Sequence, residues 1–376
     1  MSTVSYQVER RRPVEVEAEL CRVWADNLTL ESTAAAKFAW LYRDAPEPAS
    51  TVLMLLARGG DGDDGGPAVV GTAGVGVRRF EVAGAAVRAA LMADLAVDRA
   101  HRSVAPALAL VREGKACALA EHALAYGFPN KLAEGVFARA GYRRLGTIER
   151  HVRVLRHADY LDRVGDAELA RVPVGLRPAT TWVLRQPAGR ALAAAGLDVL
   201  ALGRQAGAVV GATRQLALRW GADVDERIDQ VWARARVDYP VVATRTARFL
   251  AWRFFARPGC ALVLACERAG GAPVAYAVVE MVDGHLHLRD LFGTRAGVLG
   301  LLDRLPAAAY RRGARSLSIR YLGQPWLATA LATRGFVARG GGRAIVVAAG
   351  PALPAAAAAK VADVSRWHLT DADEDV

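Results

Sequence analysis

The sequence predicts an α+β protein made of two copies of one domain arranged in tandem. Three observations carry this expectation: the length, an internal duplication, and strand-like and helix-like segments that recur in the same order in each copy. The chain has 376 residues, against about 150 for a typical domain. Hydrophobic residues make up 53% and charged residues 23%, which excludes disorder as the main state.

The duplication is read directly from the residues. Gln7-Val8-Glu9-Arg10-Arg11 lies over Gln215-Leu216-Ala217-Leu218-Arg219, and without gaps Val23-Trp24 then falls on Val231-Trp232. After four extra residues in the second copy, Phe38-Ala39-Trp40 meets Leu250-Ala251-Trp252, and Pro46 meets Pro258. Each copy nears its end with a helix closed by glycine, Ala140-Gly141-Tyr142 and Arg334-Gly335-Phe336. A unit of about 140 residues is far longer than a solenoid repeat, so a whole domain is copied. The expected division is a first domain at 1–157, a helical linker at 158–213, a second domain at 214–350, and an Ala/Pro-rich segment with an acidic tail at 351–376.

Each copy opens with a short strand and two tryptophan-bearing helices, in which Trp24, Trp40, Trp232 and Trp252 are expected in the core. Residues 51–57 and 68–77 read as strands around a glycine- and aspartate-rich turn at 59–66. That turn lacks the glutamate of a calcium loop and is read as a hairpin tip. Residues 89–98 form a strand that leads through a tight loop into a helix, with Pro106 at its first position. A second strand ends at Tyr126-Gly127-Phe128-Pro129-Asn130, and a helix from Lys131 stops at Gly141. Residues 142–145 and 151–155 return as strand. The acidic end of the chain is expected to be a solvated tail.

A strand, a tight loop and a helix start bring backbone N–H groups and the helix dipole to one spot, which suits an anion and above all a phosphate. Here the chain resembles the GNAT superfamily of N-acetyltransferases. Arg102, Ala105 and Ala107 occupy the three places of the motif Arg/Gln-x-x-Gly-x-Gly/Ala that follows a strand in that superfamily. Asn130, Ala133, Phe137, Gly141 and Tyr142 fit its later pattern, Asn-x-x-Ala-x-x-x-Tyr-x-x-x-Gly-Phe. The resemblance covers residues 7–156 well and 215–347 more weakly.

The resemblance implies two mixed, mostly antiparallel twisted sheets flanked by helices. It also implies acetyl-CoA, or another acyl-CoA, as co-substrate without a metal, and direct attack of an amine on the thioester. Arg102, Ser103, Val104, Ala105 and Ala107 would then hold the pyrophosphate. Leu95, Ala96 and Val97 would line the thioester and supply an oxyanion donor, and Asn130 and Phe137 would lie along the pantetheine arm. Asp94 is the first candidate for the base and His101 the second; His122 and Tyr126 are outsiders. Two residues depart from the pattern. Ala105 puts a methyl where a glycine lets phosphate approach, and Phe137 replaces a tyrosine that protonates the leaving thiolate. The second copy offers Leu288-Arg289-Asp290-Leu291-Phe292-Gly293 without the phosphate-loop spacing, and is expected to shape the acceptor cleft or to stabilise the first copy.

Charge and cysteines narrow the alternatives. The formal charge is +11, but only four of the 49 basic residues are lysine, and no helix-turn-helix or zinc pattern marks a nucleic-acid module. A tRNA-dependent aminoacyltransferase of the peptidoglycan-branching type and a non-catalytic CoA-binding protein are the competing readings. The four cysteines have no disulfide-framework or metal-ligand spacing. The apolar stretch 193–212 carries Asp198, Arg204 and Gln205, which argues against a membrane span. A cytoplasmic protein acting on an amine-bearing small molecule or sugar is the expectation; the acceptor and the oligomeric state stay open.

Overall fold

The computed structural model describes residues 4–49, 51–59, 66–161, 175, 177–208, 215–221 and 223–375. Most of the glycine-rich turn at 59–66 and part of the linker lie outside the described residues. The first segment contains β1 (Ser5–Arg11), α1 (Glu17–Asn27), α2 (Ala34–Phe38), β2 (Thr51–Arg58), β3 (Ala68–Val82), β4 (Ala85–Val97), α3 (Val104–Glu121), β5 (Leu124–Gly127), α4 (Lys131–Arg139) and β6 (Arg143–Val154). Helices α5 (Ala158–Leu161), α6 (Arg177–Arg185) and α7 (Pro187–Ala208) follow. The second segment has β7 (Leu216–Trp220), α8 (Glu226–Ala235), β8 (Val241–Ala243), α9 (Ala247–Leu250), β9 (Cys260–Glu267), β10 (Pro273–Val282), β11 (His285–Gly293), α10 (Arg295–Arg311), β12 (Ser316–Gly323), α11 (Pro325–Thr333) and β13 (Val337–Ala349). Helix α12 (Ala355–Val361) and strand β14 (Trp367–Leu369) close the chain.

The local reasons for these elements repeat between the segments. Helix α1 buries Leu20, Val23 and Trp24, one stripe at helical spacing, and α8 buries Ile228, Val231 and Trp232 in the same way. Thr33 caps α2 by accepting from Ala36 N at 3.1 Å, and Thr246 caps α9 by accepting from Phe249 N at 3.3 Å. Both short helices then widen into a π-helical turn, Ala39–Arg43 and Ala251–Phe255. The wide turns bring Trp40 and Trp252 face to face, with ring centroids 4.8 Å apart. Each indole N–H donates to the other's backbone carbonyl, at 3.1 and 2.7 Å. The two-residue turns Ala83-Gly84 and Asp283-Gly284 take positive φ at both positions, the geometry that closes a twisted hairpin.

The strands form one large mixed sheet rather than two separate ones, in the order β1-β2-β3-β4-β5-β13-β6-β12-β11-β10-β9-β7. The pairs β4–β5 and β11–β12 are parallel. The final strands are exchanged: β13 lies between β5 and β6, and β6 pairs with β12. The strands expected at 142–145 and 151–155 are the two ends of the single strand β6, Arg143–Val154. Leu20, Trp24 and Phe38 from the first segment share one core with Ile228, Trp232 and Leu250 from the second.

The tail is not solvated. Trp367, His368, Leu369, Thr370 and Glu374 are fully buried, with Asp371 and Asp373 nearly so. The acids meet arginines: Asp373 accepts from Arg245 at 2.7 Å, Asp371 from Arg320 at 2.7 Å and Glu374 from Arg320 at 2.8 Å. Strand β14 pairs with β12 and β8, and β8 pairs with β3, so the tail ties both segments together. The stretch 193–212 falls mainly in α7, and among the described residues no helix is long and apolar enough to cross a membrane.

Candidate active site

Strands β4 and β5 pair only as far as Met92 opposite Gly127. Beyond that fork, among the described residues, no strand lies beside the β5-facing edge of Ala93, Asp94, Leu95, Ala96 and Val97. On the other edge, Thr72 faces Ala96 and Gly74 faces Ala93, so Asp94 and Leu95 together oppose Ala73. This is a β-bulge, which re-aims side chains and leaves part of the ladder unpaired. Asp94 takes φ +52° to make it, a region aspartate enters more readily than most residues.

Asp94 is buried. One carboxylate oxygen sits 2.9 Å from Lys37 Nζ, and the other accepts from the Tyr42 hydroxyl at 2.7 Å. Gly74 makes this possible, because a Cβ there would overlap the Tyr42 hydroxyl. Burial raises the Asp94 pKa and outweighs the lowering by Lys37, with Asp375 adding to the rise. Burial pulls Lys37 down, yet Asp94 and Asp375 leave it above its ordinary value. Lys37 also donates to the Asp375 backbone carbonyl at 2.8 Å, so the end of the chain reaches this spot.

The loop after β4 begins with Asp98 N donating to Val70 O at 2.8 Å. His101 lies on its helical turn and shares a 3.0 Å hydrogen bond with the Tyr6 hydroxyl. Arg102 folds back, donating to Val97 O at 3.0 Å and Asn27 Oδ1 at 3.1 Å. Ser103 precedes α3 without capping it, and Val104 and Ala105 are exposed. Pro106 occupies the third helical position rather than the first; its missing N–H is an orphan at either place. The α3 start thus presents backbone donors that no side chain caps.

Asn130 spends its side chain on its own helix, accepting from Leu132 N at 3.1 Å and Ala133 N at 3.0 Å. Phe137 is buried edge-on to Tyr142, with centroids 5.1 Å apart, and its ring edge lies at ordinary contact distance from the site of Gly127's absent Cβ. The Tyr142 hydroxyl is buried without a hydrogen-bond partner, and burial pushes its pKa well up. Asp94, Leu95, Ala96, Val97 and Phe137 therefore gather near the fork, and residues 102–107 at the loop. His101 is turned toward Tyr6, His122 Nδ1 donates to Ala118 O at 3.0 Å, and the Tyr126 hydroxyl donates to Asp373 O at 3.2 Å. Sequence reasoning missed Lys37, Tyr42 and Asp375, which only the packing of α2 and the tail brings to Asp94.

The second segment has the same fork, closed. Strands β11 and β12 pair as far as Leu288 opposite Ile319. Beyond it β14 fills the gap, with Leu322 and Gly323 opposite Leu369 and His368, and His368 Nε2 lies 2.9 Å from Leu291 O. Asp290 stands at a bulge here too, held by Arg245 at 3.0 Å, Tyr276 at 2.8 Å and Thr370 at 2.7 Å. The strand passes straight into α10, whose first turn Thr294 caps through Gly297 N at 3.1 Å.

Two cavities lined by residues of both segments include Trp252 in their walls, and one of them also includes Trp40. One, of about 400 Å³, is floored by Val77, Arg78 and Arg79 and roofed by residues of α8 and α9. The other, of about 170 Å³, is crossed by Arg253, Arg289, Arg320 and Asp371 of the tail. Among the described residues no group of three or more His, Cys, Asp or Glu is placed to hold a metal ion.

No protein-family model and no curated protein matches the chain. Solved structures do. A conserved protein of unknown function from Enterococcus faecalis V583, described as a probable N-acyltransferase, is 12% identical with a TM-score of 0.57. GCN5-related N-acetyltransferases from Kribbella flavida (15%, TM-score 0.57) and Anabaena variabilis ATCC 29413 (11%, TM-score 0.59) align as well. Each alignment covers 92% of this chain and 72% of the other. The chain has the fold of the GCN5-related N-acetyltransferases.

Proposed function

We propose that the protein is an acyl-CoA-dependent N-acyltransferase of tandem GNAT architecture, with one acyl-CoA site, in the first segment. The observation that carries this reading is the open fork between β4 and β5 lying beside an uncapped helix start. The donors at the start of α3 suit a pyrophosphate, and the forked strands offer an unpaired backbone edge to a pantetheine arm. Acyl-CoA, when bound, supplies a thioester that an amine attacks directly.

The chain's own residues would do the rest. Arg102 and the N–H groups of Ser103, Val104 and Ala105 hold the phosphates, while the Ala107 N–H is spent inside the first helical turn. The free edge of Leu95, Ala96 and Val97 donates an N–H to the thioester oxygen. Asp94 takes the amine's proton, directly or through water. Its oxygens offer about four lone-pair sites, of which Lys37 and Tyr42 use two. The rise in its pKa moves it toward the range where a base works near neutral pH. Phe137 donates no proton, so the thiolate leaves without acid help from that position. The second segment, its fork filled by β14, would roof the acceptor cavity rather than bind a second acyl-CoA.

Calorimetric titration of acetyl-CoA tests this. One-to-one binding is expected, weakened at least about tenfold by Arg102→Glu, which sets a negative charge beside the phosphates. Two-to-one binding would show that the second fork opens, and unchanged affinity in the variant would discard the phosphate-loop assignment.

A further inference from the structure

We propose that the cavity of about 400 Å³ between the segments takes an extended amine acceptor bearing a carboxylate or phosphate at its far end, and that Arg78 recognises that anion. The inference deepens the acyltransferase reading and rests on it. Its volume falls in the range of small-molecule sites. Arg78 lines it and is 5% exposed. Its Nη1 donates to Val77 O at 3.0 Å, while among the described residues Nε and Nη2 have no hydrogen-bond partner. Its guanidinium lies 4.8 Å from the ring centroid of Trp252.

A buried cation without an ion-pair partner is costly, and an unsatisfied buried polar group beside a cavity is a mark of a site completed by a ligand. The carboxylates of the lining are already engaged. Glu47 pairs with Arg79 at 2.7 Å, and Asp229 accepts from Ala247 N at 3.0 Å. Arg248 adds another cation to the lining. Asp373 and Asp375 act on Arg78 only from beyond ion-pair distance, and burial lowers its pKa despite them. The cavity is therefore electropositive, with Phe249 and Trp252 as apolar walls.

The acceptor's shape follows from register. Arg78 faces Ala89 on β4, five residues before Asp94, or about 17 Å of strand at 3.4 Å per residue. Gly74, whose missing Cβ would meet the Tyr42 hydroxyl that bonds Asp94, and Arg78 are four residues apart on an unbroken stretch of β3, so Arg78 lies on the face of the sheet that carries Tyr42. An amine at Asp94 and an anion at Arg78 need a molecule with these groups at opposite ends.

The test uses the full chain with acetyl-CoA and two matched probe pairs, each about 17 Å long when extended: Gly-Gly-Gly-Gly-Phe against its C-terminal amide, and the amide of Gly-Gly-Gly-phosphotyrosine against its unphosphorylated form. At least one anionic member is expected to be acetylated with kcat/KM about tenfold or more above its uncharged partner, the scale of a hydrogen bond to a charged group. The pair that shows the preference tells carboxylate from phosphate. Arg78→Leu should abolish the preference without lowering the Tm, because it removes a buried unpaired charge; Arg78→Lys should keep part of it. Equal rates within both pairs, or a preference that survives Arg78→Leu, would overturn the proposal. Binding of the unreactive N-acetylated pentapeptide is followed separately by calorimetry. If it binds through Arg78 while acetyl-CoA does not bind, the anion site stands and the acyltransferase reading falls. If acetyl-CoA binds and no anionic probe does, the anion site falls alone.

Discussion

Asp94 lies in the bulge of β4 and Asp290 next to the bulge of β11, each followed by leucine just past the fork of its strand, and the chain has treated them in opposite ways. Asp94 has two partners, a lysine and a tyrosine, and the fork beside it is open. Asp290 has an arginine, a tyrosine and a threonine, and the chain's own β14 occupies the fork. Arg245 binds Asp290 and Asp373 together, and all three are essentially sealed from solvent. A carboxylate at this bend can serve a site or a scaffold, and the neighbouring segment decides which.

Removing Arg245 should break the contrast most severely. Arg245→Ala leaves two buried carboxylates without their cation, and about 3–5 kcal/mol of stability should be lost, read by denaturant unfolding. A loss below about 1 kcal/mol would mean that the second fork does not depend on this pair. On the open side, Asp94→Asn keeps a residue that tolerates positive φ. It should lower turnover about a hundredfold, the scale of general base catalysis, with acetyl-CoA affinity changed by less than about twofold. A wild-type pH–rate profile in that variant would remove Asp94 as the base. The smallest effect is expected from Ala105→Gly. Removing the methyl should tighten acetyl-CoA about threefold in calorimetry, while the new glycine costs the helix about 0.5–1 kcal/mol. No gain in affinity would mean that the methyl never faces the phosphates.

Local chemistry was legible in the sequence. Gly141 and Gly335 both end helices at φ +79°, and the strand, loop and helix around Arg102 lie where the residues place them. Unbroken alternation along β4 would set Asp94 on the face opposite Leu95 and Val97. The bulge breaks that alternation, yet the carboxylate does face α2. Partners distant in sequence were not legible. The acids of the tail read as solvated because Arg320 and Arg245 lie 51 and 128 residues from their partners Asp371 and Asp373. Lys37 and Tyr42 carry no motif and matter only once α2 packs on the bulge. Alternation along residues 143–154 tells which face is buried, and not whether β5 or β12 is the neighbour.

The exchanged strands also bear on the order in which the molecule is made. Tyr126 waits for Val347, roughly 220 residues later in the chain. At a synthesis rate of about 5–20 residues per second, β5 stands as an open edge for on the order of ten to forty seconds. Until β13 has been made, the first segment lacks the strand that borders β5 in the finished sheet.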